Sequence, residues 1–290
     1  MPKRKKKRVW KTVWRWKRTW KTVWKPRKKR SDRFALPFYP ASRRAEVSAS
    51  SRPIDILLPL GSGSKNNDLE LRVALRSIHK NVQGLRKVWV VGHKPAWFRD
   101  SDFAVSVPRR EFKVPKESRI AYKVMWAFET LDVTDAVAFW NDDYVVTLPA
   151  DIRDIPAYYC RTLVASGGGS RRYSQIRRAT SDALIAAGNR NLFFDVHTPI
   201  IYERNRFLSL KEWWGNNYVV KSIYGNHFCI DRAVRCRDCK FGTRNWPNTL
   251  ATFAEQKRWM FSYDDYAFGR LGLSKWLMAA YPEPSPAEAY

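Results

Sequence analysis

The chain has 290 residues, 44% of them hydrophobic and 14% aromatic, which suffices for one large α/β domain or two small ones. Four cysteines do not make a disulfide scaffold, and no apolar stretch approaches the roughly 20 residues of a membrane span, so we expect a cytoplasmic protein. The net charge of +27 predicts polyanionic partners: nucleic acid, anionic lipid or phosphorylated substrates.

Residues 1–30 form a separate basic arm with 16 Lys and Arg and no acid. The sequence Trp-Lys-Thr-Val-Trp recurs after ten residues, and an extended arm would carry its tryptophans on one side and its cations mainly on the other. Cations meet phosphates and indoles stack on bases, so the arm fits nucleic acid; an anionic membrane surface and a disordered basic tail stay open. The predicted nucleic-acid contacts are Trp10, Lys11, Trp14, Arg15, Trp16, Lys17, Trp20, Lys21, Trp24 and Lys25.

A Pro/Ser/Arg-rich linker, residues 31–52, separates the arm from the folded body, residues 53–280. Alternating strand and helix patterns in the first half of the body predict a mainly parallel sheet flanked by helices, as in a Rossmann-like α/β fold. The predicted strands are 54–58, 87–91, 103–107 and 136–140, and the predicted helices are 67–81 and 118–131.

A glycine-rich loop follows the first predicted strand. The backbone of Gly61, Ser62 and Gly63 could approach a nucleotide or phosphate closely. The loop lacks the Lys-Ser/Thr ending of a P-loop, and a plain strand-to-helix turn remains the alternative.

Two adjacent carboxylates, Asp142 and Asp143, end the apolar strand 136–140. They should lie at the carboxyl edge of the sheet, where open α/β sheets bind ligands. Carboxylate oxygens suit Mg²⁺ or Mn²⁺, so we predict a divalent cation there; a simple turn is the alternative.

The second half of the body holds three more polar groups of interest. Asp195 and His197 alternate within the apolar stretch 193–202, so a strand there would present both on one face, as a metal ligand and a base or as a structural pair. Asp265 belongs to a late acidic pair, and residues 281–290 read as a disordered Pro/Glu tail. A possible structural Zn²⁺ site consists of His227, Cys229, Cys236 and Cys239, with ordinary reduced thiols as the alternative.

Residues 67–78 contain Leu-Arg-x-x-Leu-Arg-Ser-Ile, and Val88-Trp89-Val90-Val91-Gly92, Pro95-Ala96-Trp97 and Asn141-Asp142-Asp143 follow in order. This succession resembles the second conserved region of the Stealth family over roughly residues 54–145. Those proteins are sugar-phosphate transferases of capsule and surface glycan synthesis, related to GT-A glycosyltransferases. Here Leu-Pro-Leu-Gly-Ser-Gly replaces the family's Thr-Trp-Val-Asp-Gly, which favours ordinary glycosyl transfer, as in compact phage-encoded relatives.

The resemblance implies a GT-A-like transferase with a nucleotide-sugar donor, preferably a UDP-sugar, and Mn²⁺ or Mg²⁺ on Asp142 and Asp143. The arm favours DNA as the acceptor, in a bacterial host cytoplasm if the protein is phage-encoded. A membrane-associated surface-glycan transferase and a non-catalytic nucleic-acid-binding protein stay open. The expected roles are donor contacts for Gly61, Ser62, Gly63 and Arg72, metal or leaving-group contact for His197, and acceptor base for Asp195 or Asp265.

Overall fold

A computed structural model of the chain describes residues 52–109, 112–165, 170–241, 246–256 and 258–289. The predicted arm and all but the last residue of the linker lie outside the described residues. None of the helices in the described ranges is long and apolar enough to cross a membrane.

The described residues form twelve strands and eight helices in a mixed α/β arrangement. The strands are β1 Ile54–Leu60, β2 Val82–Gln83, β3 Leu85–Gly92, β4 Ala104–Pro108, β5 Ala136–Phe139, β6 Tyr144–Val146, β7 Ala150–Asp151, β8 Ala157–Tyr159, β9 Ile200–Glu203, β10 Ala233–Arg235, β11 Lys240–Phe241 and β12 Met260–Tyr263. The helices are α1 Leu69–Asn81, α2 Lys116–Thr130, α3 Arg171–Ala186, α4 Arg204–Leu208, α5 Val220–Phe228, α6 Trp246–Glu255, α7 Asp265–Arg270 and α8 Leu273–Ala280.

A five-stranded sheet with the order β4-β3-β1-β5-β9 organises the fold. Neighbouring strands from β4 to β5 are parallel, and β9 pairs with β5 in the antiparallel direction. The four parallel strands therefore end at one edge, the carboxyl edge of the sheet. The strand β6 continues the chain beyond β5 into a smaller sheet with β12 and β11.

Both faces of the central sheet are buried, which explains why its strands are nearly continuous apolar runs. Successive side chains of a strand point to opposite faces, so Leu57 joins the core on the α2 side while Ile56 and Leu58 join the core on the α1 side. The predicted apolar stripe of α1 is completely buried in the core on the α1 side of the sheet; it consists of Leu71, Leu75 and Ile78.

The predicted elements of the first half are confirmed with shifts of a few residues at their ends. The expected strand over 193–202 is only partly correct, because β9 begins at Ile200. Asp195 and His197 precede it in irregular backbone, and His197 adopts a left-handed φ of 51°. The period-2 pattern was therefore misleading here, since these two residues do not share a strand face.

The C-terminal segment is ordered against the body, which corrects the predicted disordered tail. Arg76, in the middle of α1, donates from Nε and Nη2 to the two carboxylate oxygens of Glu288 at 2.8 and 2.6 Å. Phe98 forms a β-bridge with Glu288, and Ala287 is completely buried. The Pro/Glu composition predicted disorder because the residue that binds Glu288, Arg76, lies 212 positions away and leaves no signal in the local sequence.

Candidate active site

A cavity of about 770 Å³ opens at the carboxyl edge of the central sheet. Its walls come from the loop after β1, the segment after β5 and the first turns of α2, α3 and α5. The sequence-predicted residues that line it are Gly61, Gly63, Asp142, Asp143, Asp195, His197 and Asp265. The fold thus brings together most of the predicted site, from segments separated by up to about 200 residues.

Strained backbone concentrates around this cavity. In the described ranges, the non-glycine residues with positive φ are Asn67, Asp68, His197 and Asn217, with values between 51 and 56°. His197 and Asn217 line the cavity, and Asn67 follows the lining residue Asn66. Left-handed conformations cost energy for residues with a Cβ, and they cluster at functional sites where the surrounding structure enforces them.

The acidic end of the cavity is centred on Asp142 and Asp143. Asp143 accepts hydrogen bonds at Oδ2 from Ser262 Oγ at 2.8 Å and Lys240 Nζ at 3.3 Å. Its other oxygen, Oδ1, is buried and has no hydrogen-bond partner within the described part of the chain. Burial, followed by the charges of Asp143 and Glu70, raises the pKa of Asp142 to about 7.

His197 does not join the two carboxylates as a third ligand. Its Nδ1 lies 2.9 Å from Asp238 Oδ1, and within the described ranges no group of three or more His, Cys, Asp or Glu side chains is arranged to hold a metal ion. Two carboxylates nevertheless fit Mg²⁺ or Mn²⁺, because such ions usually keep water and substrate phosphate oxygens as further ligands. A divalent cation would bind Asp143 Oδ1, which has no partner among the described residues. It would also offset the repulsion between the neighbouring carboxylates of Asp142, Asp143 and Glu70.

The glycine loop leaves open space beside the acidic end. A Cβ built on Gly61 or Gly63 would meet no atom within 4 Å, so the loop does not fill the cavity with side chains. Ser62 is exposed and lies outside the cavity lining. Arg72, the predicted phosphate contact, also lies outside it: its guanidinium stacks 4.5 Å above the Trp97 ring and approaches Glu288 at 3.8 Å. The hydrophobic packing of α1 turns Arg72 towards the C-terminal segment.

Lys221 is the main cavity residue that sequence reasoning missed. It is 3% exposed, and its Nζ donates to Tyr144 Oη at 2.8 Å and to the Thr198 carbonyl at 3.0 Å. Asp195 Oδ1 lies 3.2 Å from the same ammonium. Lys221 therefore ties the strand after Asp143 to the segment that carries Asp195. The signal in the sequence that could have identified Lys221 is its position as a single cationic residue in the apolar first turn of α5.

Asp195 is held in its ionised form. Burial by itself would raise its pKa, but the charges of Lys221 and His197 and the hydrogen bonds from Tyr173 and Lys221 lower the pKa well below the ordinary value. The Tyr173 hydroxyl donates to Asp195 Oδ2 at 2.5 Å. A carboxylate stabilised this strongly is a poor proton acceptor. Asp195 thus contacts both the Tyr173 hydroxyl and the Lys221 ammonium.

A second buried lysine, Lys123 of α2, supports the floor of the cavity. Its Nζ donates to the Leu60 carbonyl at the end of β1, at 2.7 Å. Gly92 ends β3 with φ of 129°, and a side chain there would run into both Leu60 O and Lys123 Nζ. Glycine is thus required at this position for the strand ends to lie close together.

The predicted zinc site is not formed. His227 Nδ1 lies 2.8 Å from the Ile223 carbonyl within α5, and its ring packs edge-on against Trp213. Cys229 is buried in the core on the α2 side, and Cys239 Sγ donates to the His197 carbonyl at 3.1 Å. Burial raises the pKa of Cys236 and Cys239, and within the described ranges no group of three or more such side chains is arranged to hold a metal ion. These residues pack and position the backbone instead.

No protein-family model matches the chain, and no curated protein matches it either, so the Stealth resemblance stays a prediction. Among solved structures, the galactosyltransferase LgtC in complex with donor and acceptor sugar analogs is 14% identical with a TM-score of 0.44, over 79% of this chain and 97% of that chain. GlyE of Streptococcus pneumoniae TIGR4 is 10% identical with a TM-score of 0.36, over 82% and 66%. A glycosyltransferase involved in glycosylation of the major capsid of PBCV-1 is 10% identical with a TM-score of 0.41, over 78% and 98%. With TM-scores below 0.5 and identities of 10–14%, these similarities support no conclusion about function.

Proposed function

We propose that this chain is a metal-dependent glycosyltransferase that moves a sugar from a nucleotide-sugar donor, preferably a UDP-sugar, to an acceptor. The observation that carries this proposal is the pair Asp142 and Asp143 at the carboxyl edge of a parallel sheet, where the buried Oδ1 of Asp143 has no partner in the described ranges of the chain. Open α/β sheets bind their ligands at this edge. The cavity of about 770 Å³ also lies in the usual range of small-molecule sites.

Mg²⁺ or Mn²⁺ would be held by Asp142 and Asp143 together with oxygens of the donor diphosphate. This arrangement would relieve the repulsion between the two carboxylates. When bound, the cation would stabilise negative charge on the departing nucleoside diphosphate.

The chain's own cations and open loop suit a diphosphate and a sugar. Lys65 and Lys240 line the cavity and are exposed to solvent. Their ammonium groups can offset the negative charge of the donor diphosphate. Gly61 and Gly63 leave room for the ligand to approach the backbone. The Phe139 side chain adds an aromatic group to the cavity wall, as is common in small-molecule sites.

The direct test is release of nucleoside diphosphate by the full-length chain from a panel of nucleotide sugars, with Mn²⁺ and with EDTA. We expect turnover of one donor with Mn²⁺, none with EDTA, and at least a 100-fold loss in Asp142→Asn. The matched control is Asp102→Asn, an exposed aspartate outside the cavity lining, which should retain full turnover. Full activity in EDTA or in Asp142→Asn would contradict the metal assignment.

For the acceptor we propose a hydroxymethylated base in phage DNA. The support comes from the sequence: residues 1–30 carry +16, and the remaining residues carry 38 basic and 27 acidic side chains, or +11. Such a charge distribution suits a polyanionic acceptor, and the five tryptophans of the arm suit base stacking. The arm would thus hold the acceptor and leave the chemistry to the cavity.

Binding of the full-length chain and of a chain lacking residues 1–30 to DNA and to anionic vesicles, across a salt series, tests this acceptor. Each phosphate contact releases counterions, so we expect DNA affinity to fall steeply with salt and the slope to flatten without the arm. The truncated chain should keep its kcat and show a higher KM for long DNA, because uniform binding is lost. An effect on vesicles alone would favour a surface-glycan acceptor. DNA binding without turnover of any donor would favour a non-catalytic binding protein.

A further inference from the structure

Glu117, the second residue of α2, places a carboxyl group in the cavity that is not one of the proposed cation ligands. Its backbone N–H donates to Asn217 Oδ1 at 3.3 Å, and the N–H of Asn217 donates to Ser118 Oγ at 3.0 Å. Asn217 holds a left-handed φ of 55° in this arrangement. The start of α2 and the turn before α5 thus clamp each other and fix Glu117 at the cavity wall.

The charged and titratable groups around Glu117 come from several elements. Lys116 lies on its own helix, Lys221 on α5 and Asp195 in the segment before β9; Tyr173 of α3 and Tyr202 of β9 also interact with it. Burial and then the charge of Asp195 raise the pKa of Glu117 to about 7, against the opposing effect of the two lysines. Glu117 therefore exchanges its proton near neutral pH, as an efficient general base does.

Most of the other carboxyl groups of the cavity already have hydrogen-bond partners or a proposed role. Asp195 is bound by Lys221 and Tyr173, and Glu70 accepts hydrogen bonds from Ser64 and Asn66. Asp142 and Asp143 form the proposed cation site. Asp265 is exposed at the first residue of α7.

We propose that Glu117 is a catalytic residue that accepts the proton of the acceptor hydroxyl, an inference that rests on the proposed function. The acceptor oxygen forms a bond to the anomeric carbon of the donor while the bond from that carbon to the phosphate oxygen breaks. The electron pair of the broken bond leaves with the nucleoside diphosphate, and the hydroxyl proton goes to the Glu117 carboxylate. Asp195 acts as a positioning residue, because it orders Lys221 and Tyr173 beside Glu117 and keeps a negative charge near it.

The test uses the full-length chain with Mn²⁺ and the nucleotide sugar that the wild type turns over, with water as the acceptor. We expect Glu117→Gln to lower kcat at least 100-fold while the donor KM stays within twofold. Glu117→Asp keeps a carboxylate and should recover part of the rate, which also guards against a folding defect in the first variant. The matched control is Glu129→Gln, an exposed glutamate at the far end of the same helix, with unchanged rates.

The pH profile supplies a readout that a structural role would not change. In the wild type at saturating Mn²⁺, which would keep Asp142 ionised, kcat/KM should rise with pH through about 7 as Glu117 loses its proton, and this limb should be absent in Glu117→Gln. A Glu117→Gln rate within threefold of wild type, or a retained rising limb, would overturn the inference. A wild-type chain that turns over no donor would instead contradict the proposed function, so the two failures are distinguishable.

Discussion

Carboxylates at the two edges of the central sheet differ in how completely their oxygens are hydrogen-bonded. At the amino edge, Asp55 is completely buried and fully paired: Arg86 donates to its two oxygens at 2.9 and 2.7 Å, and Trp89 Nε1 and the Thr134 N–H both donate to Oδ2 at 3.0 Å. At the carboxyl edge, the buried Oδ1 of Asp143 has no hydrogen-bond partner among the residues that the structure describes.

This difference separates a carboxylate whose hydrogen bonds are satisfied within the protein from one that, in the proposed function, binds a cation. Removing a buried carboxylate whose hydrogen bonds are all satisfied leaves its partners unpaired and destabilises the fold, whereas a buried oxygen that has no partner costs free energy in the folded state. The crowding of Asp142 and Asp143, with Glu70 nearby, adds to that cost at the carboxyl edge. The protein tolerates the cost where a cation and a substrate can offset it.

The largest effect on stability should come from the amino edge. Asp55→Ala leaves the Arg86 guanidinium, the Trp89 indole N–H and the Thr134 N–H without their carboxylate partner. We expect the free energy of unfolding to fall by about 3 kcal/mol, measured by urea denaturation. Donor KM should be unchanged at a temperature where the variant is folded. A change below about 1 kcal/mol would show that the ion pair does not hold this edge.

At the carboxyl edge, a substitution should lower turnover strongly and change the stability of the fold little. Asp143→Asn should lower turnover at least 100-fold, equivalent to about 2.7 kcal/mol in the activation free energy. The free energy of unfolding should stay within about 1 kcal/mol of wild type, because the substitution also removes like-charge repulsion with Asp142. Turnover is measured with saturating Mn²⁺ and donor. A strongly destabilised but active variant would reverse the comparison.

A smaller effect concerns pH and Glu117. Its folded-state pKa of about 7 lies above the ordinary value of 4.5, so between these values the folded state retains a proton that the unfolded state has released. Stability from this group is therefore present below about pH 4.5 and is lost as the pH rises through about 7. After allowance for solvent screening we expect a loss of about 1–2 kcal/mol in the wild type relative to Glu117→Gln. Urea denaturation at pH 5 and pH 8 measures this loss. The same change in the free energy of unfolding between the two pH values in wild type and in Glu117→Gln would contradict the raised pKa of Glu117.

The sequence predicted the parallel sheet and the place of Asp142 and Asp143, because both follow from local patterns: apolar strands and the carboxylates that end one of them. The groups that complete the cavity meet only in the tertiary structure. Glu117 is anchored by a residue 100 positions away, and Lys221 lies 77 positions from Tyr144, so neither contact leaves a local signature. Arg72 shows the opposite error, since its basic character suggested a phosphate contact while the packing of α1 turns it to Trp97.

The central claim is that the carboxyl-edge cavity binds a nucleotide sugar through a divalent cation on Asp142 and Asp143. The most direct measurement is the melting temperature of the full-length chain with a panel of nucleotide sugars, with and without Mn²⁺. At about 100 times its dissociation constant, a donor should raise the melting temperature by about 5 °C in the presence of Mn²⁺. The shift should disappear with EDTA and in Asp143→Asn, while Asp102→Asn keeps it. Equal shifts in Asp143→Asn and wild type, or none with any nucleotide sugar, would contradict the account.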